Sequence, residues 1–126
     1  MKTVGQIPSH PITGHQFRAD GSGITCHSGG IARFLLRATE VTGLTIIAGP
    51  FVSEAHGQGI VIIAESHIWC GVQGADAIAI VFSCKRFDET GMLEALRDIF
   101  GGTWRSRWSV ERAQEAERKL PREALC

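Results

Sequence analysis

The sequence lacks an excess of charge of either sign. Its 126 residues contain 13 lysines and arginines against 13 aspartates and glutamates, and no basic stripe runs along any segment. A protein that binds nucleic acid or an anionic membrane surface through its charge carries such a stripe. We therefore expect neither a nucleic-acid partner nor a membrane partner.

Long hydrophobic runs and regular cysteine patterns are also missing. The longest apolar runs, 59–64 and 77–82, are too short to cross a bilayer, and residues 1–8 do not resemble a secretion signal. The four cysteines (26, 70, 84 and 126) form no CxxC pair, which is typical of reduced thiols in a cytoplasmic protein. His67 and Cys70 have the spacing of half a zinc site, but no second pair completes it, so no metal is expected.

The spacing of apolar residues predicts a single domain, 1–126, that contains both strands and helices. Ser28 and Asp88 are predicted helix N-caps, and Gly43 is a predicted C-cap. The predicted strands are 15–20, 44–48, 60–65, 75–84 and 103–110, and the predicted helices are 28–42, 89–100 and 111–120.

This order of elements predicts an α/β (α+β) fold. Helices that lie on one face of a mainly antiparallel sheet form a two-layer sandwich, which buries one face of each element. Residues 1–14 show little periodicity and are expected to be a flexible arm. The last part of the chain, 109–126, is expected to be a peripheral C-terminal helix and tail.

Three short motifs hold the residues best suited to chemistry. Gly14-His15 stands at the start of the first predicted strand, Glu65-Ser66-His67 comes at the end of the apolar run 59–64, and Cys84 ends the strand at 75–84. Taken alone, each has an ordinary structural explanation, since serine is common in turns and cysteine in cores. Their order is more specific: an apolar strand ends in Glu-Ser-His, the next ends in Phe-Ser-Cys, and a helix follows.

In this order the sequence resembles the bacterial S-adenosylmethionine decarboxylases, over roughly residues 14–108. These enzymes are pyruvoyl-dependent and form their electron-accepting group from their own backbone. The resemblance implies that the hydroxyl of Ser66 attacks the carbonyl of Glu65, that the chain is cleaved between these residues, and that Ser66 becomes the pyruvoyl group. Cys84 matches the family's proton donor, and His67 is a neighbour that shapes the site.

The resemblance also implies a substrate and an assembly. The substrate would be the small molecule S-adenosylmethionine, whose decarboxylation leads to spermidine and other polyamines, with Glu65 and Phe51 near the bound molecule. Family members pair two protomers so that their sheets meet, so we expect a homodimer or a multiple of it. Trp104 and Trp108 share one face of their predicted strand and are expected to contribute to that interface.

Some positions differ from the family, and they keep other functions open. Residues 68–76 contain neither the histidine that assists cleavage nor the Pro-Glu that binds the ribose, and Gln58 stands where the family has a serine. His56, His67 and Cys70 are candidate replacements for the lost acid–base groups. L-Ornithine or L-arginine is therefore an alternative substrate. A different class of function is an uncleaved, catalytically silent relative that binds a partner or a nucleotide.

Overall fold

The computed structural model describes residues 13–25, 29–64, 66–84 and 86–112. Within these residues the chain forms six strands and two helices, in the order strand, helix, four strands, helix, strand. They are β1 (Thr13–Ser22), α1 (Gly30–Thr42), β2 (Ile46–Ser53), β3 (Gln58–Ile63), β4 (Ser66–Gln73), β5 (Asp76–Ser83), α2 (Glu89–Phe100) and β6 (Thr103–Arg112).

All six strands belong to one sheet, in the order β2-β3-β4-β5-β1-β6. Every neighbouring pair in this sheet is antiparallel. The four strands from β2 to β5 follow one another as a meander, whereas β1 inserts between β5 and β6. Residues 13–22 therefore lie beside residues 76–83 and 103–112, and the predicted antiparallel sheet is confirmed.

The two helices cover one face of the sheet. α1 contacts α2 and the strands β2, β3 and β4, and α2 contacts β6. In β5, Ala77, Ala79, Val81 and Ser83 are buried, and the residues between them are partly exposed. Since successive side chains of a strand point to opposite faces, this alternation distinguishes the helix face, which packs on α1 and α2, from the open face. The predicted two-layer arrangement of sheet and helices agrees with this.

The helix ends follow from local chemistry. At the start of α2 the carboxylate of Asp88 accepts a hydrogen bond from the backbone N–H of Thr90 at 3.1 Å, as predicted for an N-cap. α1 ends at Gly43, whose φ of 72° is accessible to glycine without strain. α1 begins later than predicted, after Gly29, which makes no side-chain cap. Ser28 lies outside the described residues.

β4 is the strand that was not predicted from the sequence, since residues 66–74 lie between the predicted strands 60–65 and 75–84. Ile68 and Cys70 of this strand are buried, whereas His67 and Trp69 are partly exposed, which is the alternation of a half-buried strand. Gly74, with a φ of 63°, forms the short turn to β5. The sheet is therefore wider by one strand than the sequence predicted.

The edge strand β2 is longer than the predicted 44–48. It continues through Gly49 and Pro50, and its register against β3 shifts on both sides of Ala48. Proline lacks a backbone N–H and is tolerated at a sheet edge, where that donor is not needed for pairing. A proline after a short apolar run therefore did not end the strand.

Both ends of the predicted domain need correction. Thr13 and Gly14 belong to β1 instead of an N-terminal arm, and β6 runs on to Arg112 through residues predicted to be helix and tail. The rest of the predicted arm, 1–12, and of the predicted C-terminal helix and tail, 113–126, lies outside the described residues. Within the described part of the chain, no helix has the length and apolar character needed to span a bilayer.

The tryptophans of β6 do share one face, as expected, but it is the helix face. Trp104 is only 6% exposed and belongs to the core, and Trp108 packs against that core. The indole N–H of Trp104 donates to the carbonyl of Gly101 at 2.8 Å. These residues hold β6 to the helices and are not available to an interface between sheets.

Candidate functional site

The candidate site is centred on Ser66, the first residue of β4. Ser66 pairs with Ile63 of β3, so only residues 64 and 65 separate the two strands. Glu65 lies outside the described residues. The Oγ of Ser66 is buried. Among the described residues it is the only buried side-chain oxygen or nitrogen that has no hydrogen-bond partner. An unsatisfied buried hydroxyl costs about 1–3 kcal/mol, so its presence at this position calls for an explanation.

Ser66 belongs to a line of polar side chains that crosses three strands. It shares the helix face with buried Ile68 of the same strand. Because His67 pairs with Phe82, continuing this register by one residue places Ser66 across from Ser83.

On its other side, Ser83 pairs with His15 of β1. Ser66, Ser83 and His15, which we call the polar row, therefore lie side by side at one end of the sheet. Ser83, in the middle of the row, is only 1% exposed.

An aromatic cluster packs beside the polar row. The His15 ring meets Trp108 edge-on, with centroids 6.3 Å apart. Trp108 also lies 5.2 Å from Phe17 and 4.8 Å from Phe87. The indole N–H of Trp108 donates to a carboxylate oxygen of Glu89 at 3.2 Å, and that carboxylate also accepts from the hydroxyl of Ser106. The imidazole thus packs against an aromatic ring that a hydrogen bond holds in place.

Cys84 follows β5 directly and is exposed. Ser83, the residue before Cys84, lies across from Ser66 in the β4–β5 register, so Cys84 is at the same end of the sheet as Ser66. Two residues later, the guanidinium carbon of Arg86 lies 4.5 Å from the centre of the Trp108 ring. The segment after β5 therefore brings an accessible thiol and a cation to the end of the sheet that holds the polar row.

His67 lies on the opposite face from Ser66, since neighbouring residues of a strand alternate. On the open face its ring stacks on Phe82, and burial lowers the pKa of the imidazole. The Phe82 ring also explains the glycine in the Gly14-His15 motif, because a Cβ on Gly14 would lie only 2.1 Å from it. The structure thus brings Ser66 and Cys84 to one end of the sheet but turns His67 away from the serine.

The two other candidate acid–base groups lie away from Ser66. His56 is in the turn between β2 and β3, at the far end of β3, where its Nδ1 is 2.8 Å from the hydroxyl of Ser53. Cys70 shares the helix face with Ser66, but it is four residues further along the strand, about 13 Å away. Burial raises the pKa of the Cys70 thiol to about 12. Neither group is placed to exchange a proton with the serine.

Phe51 and Gln58, which the sequence analysis linked to the substrate and to cleavage, also lie elsewhere. Phe51 is exposed on the edge strand β2, two strands from β4. The side-chain oxygen of Gln58 accepts a hydrogen bond from the indole N–H of Trp69 at 3.3 Å. Both side chains of this pair line an open-face hollow of about 420 Å³ at the far end of β4. These residues do not meet Ser66 within one chain.

No metal site is evident in the part of the chain that the structure describes, where no three His, Cys, Asp or Glu residues gather. His67 and Cys70, the candidate half-site, point to opposite faces of β4. Cys70 and Cys84 are not in a disulfide, and Cys26 and Cys126 lie outside the described residues.

Ser83 is the site residue that the sequence analysis did not single out. The signal was present in β5, whose buried positions Ala77, Ala79 and Val81 are followed at the same period by a hydroxyl. His15 was noted only as part of a motif. No protein-family model matches this sequence, and no curated protein matches it either. The site itself is therefore the basis for assigning a function.

Proposed function

We propose that this protein is a pyruvoyl-dependent decarboxylase that cleaves its own chain between Glu65 and Ser66. The observation that carries the proposal is the buried Oγ of Ser66, which no described group engages. A hydroxyl without a hydrogen-bond partner keeps its lone pairs available for attack. It belongs to the residue that directly follows the carbonyl to be attacked, so the reacting atoms are held together by the chain itself.

The pyruvoyl group left at residue 66 would supply the electron sink that decarboxylation of an α-amino acid requires. The chain's own residues provide the surroundings. The buried helix face around Ser66 limits the access of water, which strengthens electrostatic interactions there. The exposed thiol of Cys84, which directly follows β5 at the end of the sheet that holds Ser66, is the proton donor to the substrate's Cα.

S-Adenosylmethionine is the first candidate substrate, and the reaction would serve spermidine and polyamine synthesis in the cytoplasm. L-Ornithine and L-arginine are the alternatives. Arg86, held over Trp108, is a suitable partner for a substrate carboxylate, but all three molecules have one, so this contact does not separate them. Release of labelled CO₂ from each carboxyl-labelled compound by cleaved protein identifies the substrate.

The experiment that tests the proposal is a denaturing gel combined with mass spectrometry. Purified wild-type protein should separate into fragments 1–65 and 66–126, and the second should have no free amino terminus. Ser66→Ala should stay intact, because it lacks the attacking oxygen. Ser53→Ala, which removes an exposed hydroxyl at the other end of the sheet, should cleave normally. Wild-type protein that remains one chain after long incubation overturns the proposal.

We also propose that two copies assemble through their open faces. No helix of the described chain covers this face, although β3, β4 and β5 all place large apolar side chains on it. Half-buried members of this group are Ile60, Ile62, Trp69, Ile78, Ile80 and Phe82. An apolar surface that spans three strands is typical of an interaction site, and a homodimer would bury it.

A catalytically silent relative is the second candidate. Two observations favour it: His67 points away from Ser66, and the open face offers an apolar surface that suits a protein partner. In that case the protein would act by binding, for instance to an active decarboxylase, and the chain would never be cleaved. The gel described above separates the two functions, since only the enzyme needs a break before Ser66.

A further inference from the structure

We propose that His15 takes part in the cleavage of the chain by exchanging a proton with the Ser66 hydroxyl through Ser83. The inference rests on the proposed function, and it assigns the acid–base group that the sequence did not supply. It makes His15 a positioning and proton-transfer residue of the cleavage step, and Ser83 the bridge between the two.

The geometry of the sheet supports this assignment. Ser83 pairs directly with His15, and the register of β4 on β5 brings Ser66 to its other side. Neighbouring strands are about 4.8 Å apart, so the backbones of Ser66 and His15 are separated by about 10 Å. This distance is too long for one hydrogen bond but is within reach of a chain of two through the Ser83 hydroxyl. The Ser66 Oγ makes no hydrogen bond in the resting structure, so its side chain must rotate toward Ser83 when cleavage begins. Burial of Ser83 keeps bulk water from replacing it.

The other described histidines do not meet these conditions. His67 shares the end of the sheet but lies on the open face, and His56 lies at the opposite end. Cys70 shares the face, but the raised pKa of its thiol leaves it uncharged near neutral pH. Among the described acid–base groups considered for cleavage, His15 alone combines the face and the end of the sheet with Ser66.

The side chain of His15 is held in one orientation by its neighbours. Its half-buried ring packs on the edge of Trp108, and the Trp108 N–H is fixed by Glu89. The imidazole therefore has restricted freedom beside Ser83.

The first chemical step is an isomerisation that needs no external reagent. The Ser66 Oγ forms a bond to the carbonyl carbon of Glu65, and the bond between that carbon and the Ser66 nitrogen breaks. The hydroxyl proton ends on this nitrogen, which leaves an ester and a free amine. Ser83 accepts the proton from Ser66 while donating its own to His15. The reverse transfer delivers a proton to the nitrogen and restores both residues.

The experiment compares cleavage rates of four variants on denaturing gels: His15→Ala, His15→Gln, Ser83→Ala and Ser83→Thr. General acid–base catalysis contributes about 10²–10⁴-fold, so both His15 variants should cleave at least ten times more slowly than wild type. Added imidazole should restore part of the rate to His15→Ala, which has room for it, and not to His15→Gln. Ser83→Thr, which keeps the hydroxyl, should cleave faster than Ser83→Ala.

The outcomes separate the inference from the proposed function. Wild-type cleavage together with normal cleavage of both His15 variants overturns the role of His15 and leaves the decarboxylase proposal intact. The relay is also overturned if His15→Ala cleaves slowly and added imidazole does not accelerate it. Equal cleavage rates for Ser83→Ala and Ser83→Thr overturn it as well. If His15→Ala does not fold, His15→Gln and the Ser83 pair decide the matter. Absence of wild-type cleavage counts against the proposed function itself.

Discussion

His67 stacks on Phe82 across two strands of the open face, with the ring centroids 6.3 Å apart and the ring planes inclined by 18°. The neighbouring Ser66 is on the other face of the same strand. Burial against Phe82 disfavours the charged imidazole and lowers the pKa of His67 from its ordinary value of 6.5. His67 therefore couples the stability of this part of the sheet to pH.

The first prediction is that the folded protein loses stability as the pH falls below neutral, and that His67 contributes to the loss. In the unfolded chain the imidazole binds a proton near pH 6.5, whereas the folded protein binds it only at lower pH. Between these values the unfolded state carries more protons, so the free energy of unfolding decreases as the pH falls. The loss is complete once the pH is below the folded pKa.

Urea unfolding at pH 7.5 and pH 5.5, at one protein concentration, measures this effect. His67→Phe keeps a ring that can stack on Phe82 but cannot be protonated, so its stability should change less between the two conditions than that of wild type. An equal change in both proteins would mean that other groups account for the pH dependence.

The second prediction is that Cys84 acts after cleavage. Cys84→Ala should still break before Ser66 but should release CO₂ about 10²–10⁴ times more slowly per mole of cleaved protein, as expected for loss of a general acid. Cys84→Ser keeps the size and polarity of the side chain, but its hydroxyl is a far weaker acid than a thiol, so it should be impaired as well. A normal rate with a lowered melting temperature would assign Cys84 a structural role instead.

The third prediction concerns the contrast between the two described thiols. Cys84 is exposed, whereas Cys70 is buried with a pKa raised to about 12. At pH 8 only about one Cys70 in 10⁴ would be a thiolate, the form that reacts with alkylating reagents. In a variant that carries serine at positions 26 and 126, a thiol reagent should label one cysteine in the native state and two in urea. Rapid labelling of both in the native protein would contradict the burial of Cys70.

Elements with a strong local signal were predictable from the sequence. α2 begins directly after Asp88, whose side chain caps the helix, and β5 is an almost continuous apolar run bounded by turns. β4 was missed because its apolar residues are interrupted by Gly71 and its first residues read as the end of the preceding strand. Its pairing with β3 and β5, which is not visible locally, stabilises it.

The residues of the candidate site were likewise predictable from the sequence only in part. Ser66 and Cys84 could be identified from the sequence because each stands at the end of a predicted apolar strand, in motifs that follow one another in a recognisable order. The polar row could not be identified from the sequence, because His15 comes next to Ser83 only when β1 inserts between β5 and β6. The faces of β4 and β6 were also beyond the sequence pattern: His67 lies away from Ser66, and Trp108 packs against the core. Such relationships depend on long-range strand register.

The last prediction is that the open face joins two copies of the chain. Light scattering of the wild-type protein at micromolar concentration should give twice the 13.7 kDa mass of one chain. Ile80 lies near the middle of the open face, where it pairs with Trp69 on one side and Arg18 on the other. Ile80→Glu would bury a carboxylate in an apolar interface, where the neighbouring Arg18 is already paired with Asp20, and burial of an unpaired charge costs several kcal/mol.

A cost of about 3 kcal/mol corresponds to a roughly hundredfold weaker dimer, so Ile80→Glu should be monomeric under conditions in which wild type is dimeric. The matched control is Leu36→Glu, which adds the same charge to α1 at an apolar side chain that is 47% exposed. This variant should remain a dimer, because the helix layer faces away from the partner. A monomeric wild type, or equal dissociation of the two variants, would mean that the open face is not the contact between protomers.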